Sequence, residues 1–241
     1  MPPMIRSAPL EPTSILAESR NAPSHILYDW DNTLVDAWSG ITAAMNAALA
    51  AFAMPDWTEA DTRARARLPL PLAFPPLFGP DWTRARDIFY ATLAATHLAT
   101  LRVLPGRAAL IGAFPAARQA VVSNKSGAFL RAEIAHLGWE AHFATSIGAG
   151  DAAADKPHPD PLWLALNRLG VGPGPAIWYV GDTALDMQAA RAAGVTAVLL
   201  GDAAHDGGID QAAPDLHFLT AESLAGVFSG TGSCACPPGA G

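Results

Sequence analysis

HILYDWDNTLVD, residues 25–36, begins with a short apolar run and then places two aspartates one residue apart. The apolar run predicts a buried β-strand over His25 to Asp29. Side chains two residues apart lie on the same face of a strand, so Asp29 and Asp31 are expected to point toward the same side. Two carboxylates that close repel each other unless a cation or a shared proton compensates them. The segment therefore predicts a strand with a charged site at its carboxyl end.

The rest of the chain alternates strand-like and helix-like segments after about residue 105. This alternation predicts an α/β fold with a doubly wound parallel sheet, a Rossmann-like core covered by helices. The candidate strands are His25 to Asp29, Gln119 to Ser123, Ala144 to Gly148, Ile177 to Gly181 and Thr196 to Gly201. The candidate helices between them are Ala128 to Leu137, Pro161 to Leu169 and Leu185 to Ala193.

A segment of helical character interrupts that alternation and predicts a small α-helical cap, residues 38–104, inserted after the first strand. The α/β core is then expected to comprise residues 23–37 and 105–228. Ser39 is a candidate N-cap for the first cap helix, and Asp81 for a second that starts at Trp82. Between them LPLPLAFPPLFGP, residues 68–80, is expected to lie outside helices because it is rich in proline.

Composition excludes several classes of protein. The formal net charge is -7 and no basic run follows the pattern of a nucleic-acid-binding surface, so nucleic acid is not expected as a partner. The two cysteines, Cys234 and Cys236, lie near the carboxyl terminus, so no disulfide framework is predicted. No signal peptide or membrane-spanning stretch is apparent, and we expect a cytoplasmic protein with disordered residues 1–22 and 229–241.

Acidic side chains follow two of the predicted strands. Asp29 and Asp31 follow the first, and Asp182 and Asp186 occur in VGDTALD after the strand that ends at Gly181. In a parallel sheet the carboxyl ends of the strands meet at one edge, so these acids are expected to converge. Four carboxylates around one point form an oxygen-rich site of the kind that binds Mg²⁺.

A magnesium site of this kind suggests a phosphate ligand, and three other polar residues are placed to bind it. Ser123 offers a hydroxyl and Asn124 an amide at the end of the second strand, while Lys156 offers a compact positive charge in the loop after the third. Each of these residues could instead serve a turn or the start of a helix. Because these three residues occur together with the four acids in one predicted sheet, a phosphate site is favoured.

The segments DWDNTLVD, VVSNK, DKPHPDP and VGDTALD, in that order, resemble the four motifs of the haloacid dehalogenase-like hydrolase superfamily. The resemblance covers about Ile26 to Leu200. It implies that Asp29 is the nucleophile that forms an aspartyl phosphate, that Asp31 is the general acid and base, and that the transferring group is held by Ser123 and Lys156. The ligands that it implies for Mg²⁺ are Asp29, the backbone carbonyl of Asp31, and Asp182, with Asp186 supporting them directly or through water.

The helical insertion resembles the cap of phosphoglycolate phosphatase-like members of that superfamily. One departure is Asn32, where glycine is the commoner residue; asparagine tolerates a positive φ, so the turn is expected to form. Arg63, Arg65 and Arg67 are expected to solvate the cap, although one of them could bind a substrate carboxylate. GAGD, residues 148–151, lacks the spacing of a P-loop and is interpreted as a turn.

The expected function is that of a Mg²⁺-dependent phosphatase acting on a small phosphorylated metabolite. A phosphomutase with the same core is one alternative. A phosphoacceptor signalling module is another, although such a module needs no cap and is typically shorter. A dehalogenase is disfavoured because its reaction has no leaving alkoxide for Asp31 to protonate.

Overall fold

The computed structural model describes residues 22–65 and 70–229. The predicted disordered ends fall almost wholly outside this part of the chain, as do Arg67, Cys234 and Cys236. No helix within the described ranges combines the length and the apolar character that crossing a membrane requires.

A six-stranded parallel sheet forms the centre of the molecule. In chain order, the strands of the described residues are β1 (His25–Tyr28), β2 (Val35–Asp36), β3 (Arg102–Val103), β4 (Gln119–Ser126), β5 (Thr145–Ala149), β6 (Ile177–Gly181), β7 (Thr196–Leu200) and β8 (Leu216–Phe218). The large sheet has the order β5-β4-β1-β6-β7-β8, and every pair in it is parallel. Counted along the core alone this is the order 3-2-1-4-5-6 of a doubly wound fold, which confirms the predicted fold class.

Helices cover both faces of the sheet. In chain order the α-helices of the described residues are α1 (Trp38–Ala51), α2 (Glu59–Arg65), α3 (Leu70–Phe78), α4 (Trp82–Thr100), α5 (Arg107–Gly112), α6 (Gly127–His136), α7 (Asp160–Leu169), α8 (Ala184–Ala193), α9 (Ile209–Ala212) and α10 (Ala221–Ser229). Side chains alternate along β1, so Ile26 and Tyr28 pack in the apolar cluster that includes α5, α6 and α10. Leu27 points the other way, into the cluster that includes α7, α8 and α9.

Four of the five predicted strands lie within one residue of their predicted bounds. Three of them, β1, β6 and β7, are short and largely buried apolar runs, whereas β5 is only partly buried. The strand predicted as Gln119 to Ser123 extends three residues further, and its pairing with β5 shifts register between Val122 and Ser126. That extension places Asn124 and Lys125 on the strand rather than at the start of the next helix. Strand β8, three residues long, was not predicted from the sequence.

The chain leaves the core through β2 and returns through β3, which pair with each other antiparallel. Between them the described residues form helices α1 to α4 and a short 3₁₀ turn, Gly79–Asp81. These helices bury an apolar cluster of their own that includes Met45, Phe74 and Phe89. The helical insertion thus has a core separate from the two that flank the sheet.

The prediction that residues 68–80 lie outside helices is wrong, because Leu70–Phe78 is helical with Pro75 and Pro76 inside the helix. Each proline removes one backbone donor from the helix. Packing compensates that loss: Phe74 is fully buried, and its ring contacts those of Phe78 and Phe89 at centroid distances of 5.0 and 5.9 Å.

The N-cap predicted at Ser39 is also wrong. Helix α1 begins one residue earlier, at Trp38, whose backbone N–H donates to Asp36 Oδ1 at 2.9 Å. The Ser39 hydroxyl instead donates to the carbonyl oxygen of Thr100 at 3.2 Å and so joins the two ends of the insertion. Helix α4 does begin at Trp82, but Asp81 makes no capping hydrogen bond through its side chain.

Candidate active site

The candidate site lies at the point where the strand order of the sheet reverses. Strands β1 and β6 are neighbours there, and Asp29 follows β1 while Asp182 follows β6. The backbone N–H of Asp29 donates to the carbonyl of Val180 at 2.8 Å, which continues the β1–β6 ladder to the site itself. Ligands of doubly wound sheets bind in the crevice at this point, beyond the carboxyl ends of the strands.

A tight turn follows Asp29 and fixes the residues behind it. The backbone N–H of Leu34 donates to the carbonyl of Trp30 at 2.9 Å, and the N–H of Asn32 donates to that of Val35 at 2.6 Å. Asn32 adopts a φ of 62°, the left-handed conformation that asparagine tolerates, as predicted.

Lys156 reaches the site from the loop after β5 and holds two of its carboxylates together. Its Nζ lies 2.6 Å from Asp29 Oδ1 and 2.7 Å from Asp186 Oδ1, and it donates to the Tyr179 hydroxyl at 2.8 Å. The Lys156 side chain is only 3% exposed. Burial disfavours its charge, yet the two carboxylates outweigh burial and raise the pKa of Lys156 well above its ordinary value.

Asp186 both caps the start of α8 and contacts Lys156. Its Oδ2 accepts from the backbone N–H and the hydroxyl of Thr183, completing a capping box, while its Oδ1 faces Lys156. Burial alone would raise the pKa of Asp186, but Lys156 and Thr183 together hold it below its ordinary value. Gly181 permits this close approach, because a Cβ there would overlap the Asp186 side chain.

Asp182 completes the acidic cluster. Its Oδ1 accepts from the buried Thr33 hydroxyl at 3.0 Å, and His205 Nε2 lies 3.2 Å from its Oδ2. Burial raises the pKa of both Asp182 and Asp29, and contacts with His205 and Lys156 respectively counteract part of that rise. The Thr33 hydroxyl also lies 3.4 Å from Asp29 Oδ2, so this residue contacts both acids.

One oxygen each from Asp29, Asp182 and Asp186 lie within 4.8 Å of one another, close enough to hold a single metal ion. Two properties of the cluster fit a hard divalent cation. The donors are carboxylate oxygens, and the buried Asp182 Oδ2 accepts no hydrogen bond of good geometry, since its one close partner, His205 Nε2 at 3.2 Å, is in contact only as an ion pair. Three carboxylates beside one ammonium also leave an excess of negative charge in a buried place, which a divalent cation would relieve.

Asp31 pairs with a different lysine from Asp29. Its Oδ1 lies 2.7 Å from the Nζ of Lys125, and it is not part of the acidic cluster, whereas Asp29 pairs with Lys156. The expectation that the two carboxylates point to the same side stays a prediction. The predicted role of the Asp31 backbone carbonyl as a metal ligand stays a prediction.

Ser123 and Asn124 lie at the end of the buried part of β4. Ser123 is 4% exposed, and its Oγ accepts from the backbone N–H of Lys125 at 3.2 Å, which leaves its hydrogen free to be donated. Asn124 pairs through Oδ1 and Nδ2 with the backbone N–H and C=O of Lys156, both at 2.9 Å. Asn124 therefore positions the Lys156 loop, and its predicted contact with phosphate stays a prediction.

Sequence reasoning assigned no function to Thr33, Lys125, Tyr179 or His205. Tyr179 supports Lys156 by accepting its hydrogen bond and donating its own to the carbonyl of Val122 at 2.9 Å. Tyr179 lies inside β6 and reads as an ordinary strand residue. Its role depends on contacts between strands that the sequence does not show.

The helical insertion reaches the edge of the site through aromatic contacts. The guanidinium of Arg63, on α2, lies 5.0 Å above the ring of Trp38, and Trp38 packs edge-on against His205 at 5.6 Å. Arg65 points elsewhere, over Trp57 at 4.8 Å. Gly148 to Asp151 form a turn closed by Asp151 Oδ2, which accepts from the N–H of Gly148 at 2.9 Å, as interpreted from the sequence.

Comparisons with known proteins agree with this architecture. A profile of the haloacid dehalogenase-like hydrolase family matches residues 26–200. The phosphoglycolate phosphatase of Xylella fastidiosa strain 9a5c is 34% identical over 188 residues, covering 75% of this chain and 82% of its own length. That of Escherichia coli O157:H7 is 30% identical over 235 residues, covering 83% and 90%.

Among solved structures, a haloacid dehalogenase-like family hydrolase of Streptococcus pneumoniae superimposes with a TM-score of 0.75 at 20% identity, covering 86% of this chain and 98% of its own. At that identity the likeness concerns the fold. The family profile and the curated relatives show the family as well as the fold, because both match most of the chain. Fold, motif order and relatives agree, and the chain belongs to the haloacid dehalogenase-like hydrolase family.

Proposed function

We propose that this hydrolase is a Mg²⁺-dependent phosphatase that cleaves a small phosphorylated metabolite through an aspartyl-phosphate intermediate. The observation that carries the proposal is the convergence of Asp29, Asp182 and Asp186 with Lys156 at the switch point of the sheet. The family and the names of its phosphoglycolate phosphatase relatives support phosphoric monoester hydrolysis.

In the first half of the reaction, a carboxylate oxygen of Asp29 attacks phosphorus and displaces the alkoxide of the substrate. The bond between phosphorus and the leaving oxygen breaks with its electron pair, and Asp31 donates a proton to that oxygen. Lys156 fixes the position of Asp29 and offers a positive charge to the phosphoryl oxygens. Ser123 is placed to donate its hydroxyl hydrogen to one of those oxygens.

In the second half, Asp31 is a carboxylate and acts as a base. It removes a proton from a water molecule, whose oxygen attacks phosphorus and releases inorganic phosphate and the free carboxylate of Asp29. Asp31 is thereby protonated again for the next cycle. Its side chain is 28% exposed, whereas that of Asp29 is 8% exposed, which suits contact with leaving groups and water.

Mg²⁺ would be held by Asp29 and Asp182, with Asp186 in support, and when bound it supplies positive charge to the transferring phosphoryl group. Without a divalent cation, burial favours the protonated forms of Asp29 and Asp182, and a protonated Asp29 is a poor nucleophile. A bound cation would favour the carboxylate forms of these two acids.

Phosphoglycolate is the substrate that we propose to test first, because the relatives bear its name and it carries a carboxylate beside its phosphate. Arg63 is the cap residue that we propose binds this carboxylate. It contacts Trp38, which in turn contacts His205 beside Asp182, so its guanidinium lies along the edge of the acidic cluster. Its present ion-pair partners are Glu59 at 2.6 Å and Asp36 at 3.8 Å. Both pairs are partly exposed to solvent, so replacing them with a substrate carboxylate should cost little free energy.

The first experiment measures phosphate release from a panel of phosphorylated metabolites with Mg²⁺ and with EDTA. EDTA should abolish turnover and Mg²⁺ restore it, and full activity in thoroughly chelated protein would refute the metal assignment. Repeated release of inorganic phosphate separates a phosphatase from a signalling module, which is phosphorylated about once, and from a phosphomutase, which returns an isomeric ester.

A second experiment separates the two catalytic acids. Asp29→Asn should give no phosphoenzyme. Asp31→Asn should give a burst of nitrophenol from para-nitrophenyl phosphate, whose leaving group needs little protonation, followed by slow turnover; general acid–base help is typically worth about 10²- to 10⁴-fold. Asp210→Asn, a matched change on the exposed surface, should behave as wild type. A burst from Asp29→Asn would show that the roles are assigned wrongly.

The substrate proposal is tested with Arg63→Gln, with Arg65→Gln as its control. Arg63→Gln should raise KM for phosphoglycolate by about tenfold or more and leave para-nitrophenyl phosphate unaffected, since that ester has no carboxylate. Arg65→Gln should change neither value, because its guanidinium is directed to Trp57 and Asp61. Equal effects of the two variants would contradict the role of Arg63.

A further inference from the structure

A second charged cluster lies beside the active site and centres on the buried carboxylate of Glu133, on α6. Its Oε2 accepts from the indole Nε1–H of Trp30 at 2.6 Å, and its Oε1 lies 2.7 Å from His97 Nδ1, on α4 of the helical insertion. Lys125 Nζ donates to both carboxylate oxygens, at 2.8 and 2.6 Å. One side chain therefore joins the turn after β1, the end of β4, and the helical insertion.

Glu133 occupies an unusual place for an ionised group. It is fully buried, and it lies among Leu130, Ile134 and Leu137 on the apolar stripe of α6. A leucine would satisfy that stripe without desolvating a charge, and a buried ion pair generally contributes little stability over apolar packing. Stability is therefore a poor reason for the carboxylate, and its contacts suggest another.

Lys125 contacts both Glu133 and Asp31, the proposed general acid and base. This contact gives the Glu133 carboxylate a role other than stabilising the fold. A lysine side chain has four flexible bonds, so a single ion pair would fix its ammonium poorly. Here both oxygens of Glu133 accept hydrogen bonds from the Lys125 ammonium, which also lies 2.7 Å from Asp31 Oδ1. Oδ1 is buried and is held by this ion pair rather than by a hydrogen bond of good geometry, so Oδ2 is the oxygen of Asp31 left to reach a substrate.

Glu133 also restrains Asp31 through the backbone. Trp30 immediately precedes Asp31, is fully buried, and packs edge-on against Trp139 at 5.9 Å besides donating to Glu133. Its indole hydrogen bond thus anchors the residue before Asp31, while Lys125 anchors the carboxylate. Two independent contacts of Glu133 converge on the same catalytic side chain.

We propose that Glu133 is a positioning residue of the active site: it fixes Lys125 and Trp30, and through them it orients the Asp31 carboxylate toward the leaving group and the attacking water. His97 contributes a donor to this carboxylate from the helical insertion, and its ring packs on Phe129 at 4.7 Å. The insertion is in this way joined to the group that orients Asp31. This inference rests on the role proposed above for Asp31.

The test uses Glu133→Gln, which keeps the volume of the side chain but replaces one acceptor oxygen with an amide donor. Four donor contacts converge on the carboxylate, so the amide cannot accept them all. Glu140→Gln makes the same chemical change at an exposed position and serves as the control. Both proteins are assayed with para-nitrophenyl phosphate and with an alkyl phosphate.

Glu133→Gln should show the nitrophenol burst expected of Asp31→Asn, because Asp29 and Lys156, which form the phosphoenzyme, are untouched. Steady-state turnover should fall by about 10²-fold, and alkyl phosphate cleavage should fall with it, since a small misplacement of a catalytic group has this cost. The decisive measurement is the double variant with Asp31→Asn. A positioning residue that acts through Asp31 should lower turnover no further in that background.

An equal additional loss in the Asp31→Asn background would overturn the proposal, because it would mean that Glu133 acts on the fold in general. Wild-type kinetics of Glu133→Gln would overturn it as well. If that variant does not fold, Lys125→Gln replaces it: loss of alkyl phosphate cleavage together with a nitrophenol burst like that of Asp31→Asn supports the proposal, and wild-type kinetics on both substrates contradict it. Failure of the proposed function is distinct, since it would appear in the wild type as no phosphoenzyme.

Discussion

Removing the ammonium of Lys156 should destabilise the protein by an amount that its contacts define. Lys156→Met preserves the length of the side chain and its packing, but leaves Asp29 and Asp186 buried without the cation that lies 2.6 and 2.7 Å from them. Breaking a buried ion pair from one side costs roughly 3–5 kcal/mol. For a chain of this size that corresponds to a fall of roughly 6–20 °C in the melting temperature.

The measurement is urea unfolding followed by tryptophan fluorescence, in EDTA so that no cation replaces the lysine. Arg131→Met is the matched control, because Arg131 also pairs with an aspartate, Asp151, at 2.7 Å but is half exposed. An exposed pair is worth about 0–1 kcal/mol. A loss in Lys156→Met no larger than that in Arg131→Met would refute the reasoning.

The pH dependence gives a second check on the same variant. Without Lys156, burial should raise the pKa of Asp186, which Lys156 now holds below its ordinary value. A carboxyl whose folded pKa exceeds its unfolded pKa destabilises the fold above the unfolded pKa and ceases to do so as it becomes protonated. The stability gap between Lys156→Met and wild type should therefore narrow as pH falls toward about 4. A gap that does not vary with pH would contradict this explanation.

Three further changes test other parts of the molecule. Asn32→Gly should change the free energy of unfolding by less than about 1 kcal/mol, whereas Asn32→Val should cost roughly 1–2 kcal/mol, because φ is 62° there; urea titration distinguishes them. Asp151→Asn should destabilise by up to about 1 kcal/mol at pH 7, and the difference should shrink as pH falls below about 4, through the lowered pKa that Arg131 gives Asp151 in the fold. Replacing residues 38–104 with a short linker should leave weak aryl phosphatase activity but abolish discrimination among metabolites; an unchanged metabolite ranking would place specificity elsewhere.

The sheet could be predicted from sequence because its central strands are buried on both faces. β1 and β6 are short apolar runs that end in Asp or Gly, and nothing distant is needed to recognise them. The acids that follow them were predicted for the same reason, since the end of a parallel strand fixes the edge at which its next residue lies. Helix α3 was not predictable in this way, because the packing of Phe74 outweighs the local cost of two prolines.

Glu133 shows what sequence could have revealed and what it could not. Leu130, Ile134 and Leu137 recur at helical spacing, and a glutamate three residues after the first of them falls on the same stripe. A charge on an apolar stripe is a sign of a buried partner. The identity of that partner depends on β4 extending to Ser126, which places Lys125 beside the helix, and no local pattern in the sequence indicates that extension.

The two aspartates at the end of β1 avoid mutual repulsion by pairing with different lysines. Asp29 pairs with Lys156, from the loop after β5, and Asp31 pairs with Lys125, from the end of β4. Each lysine is in turn held by a second buried acid, Asp186 in one case and Glu133 in the other. The separation suits the roles proposed above for the two aspartates, because a nucleophile must stay ionised while an acid and base must exchange its proton in each cycle. Two carboxylates sharing one cation would titrate together, whereas two with separate partners are free to take different protonation states.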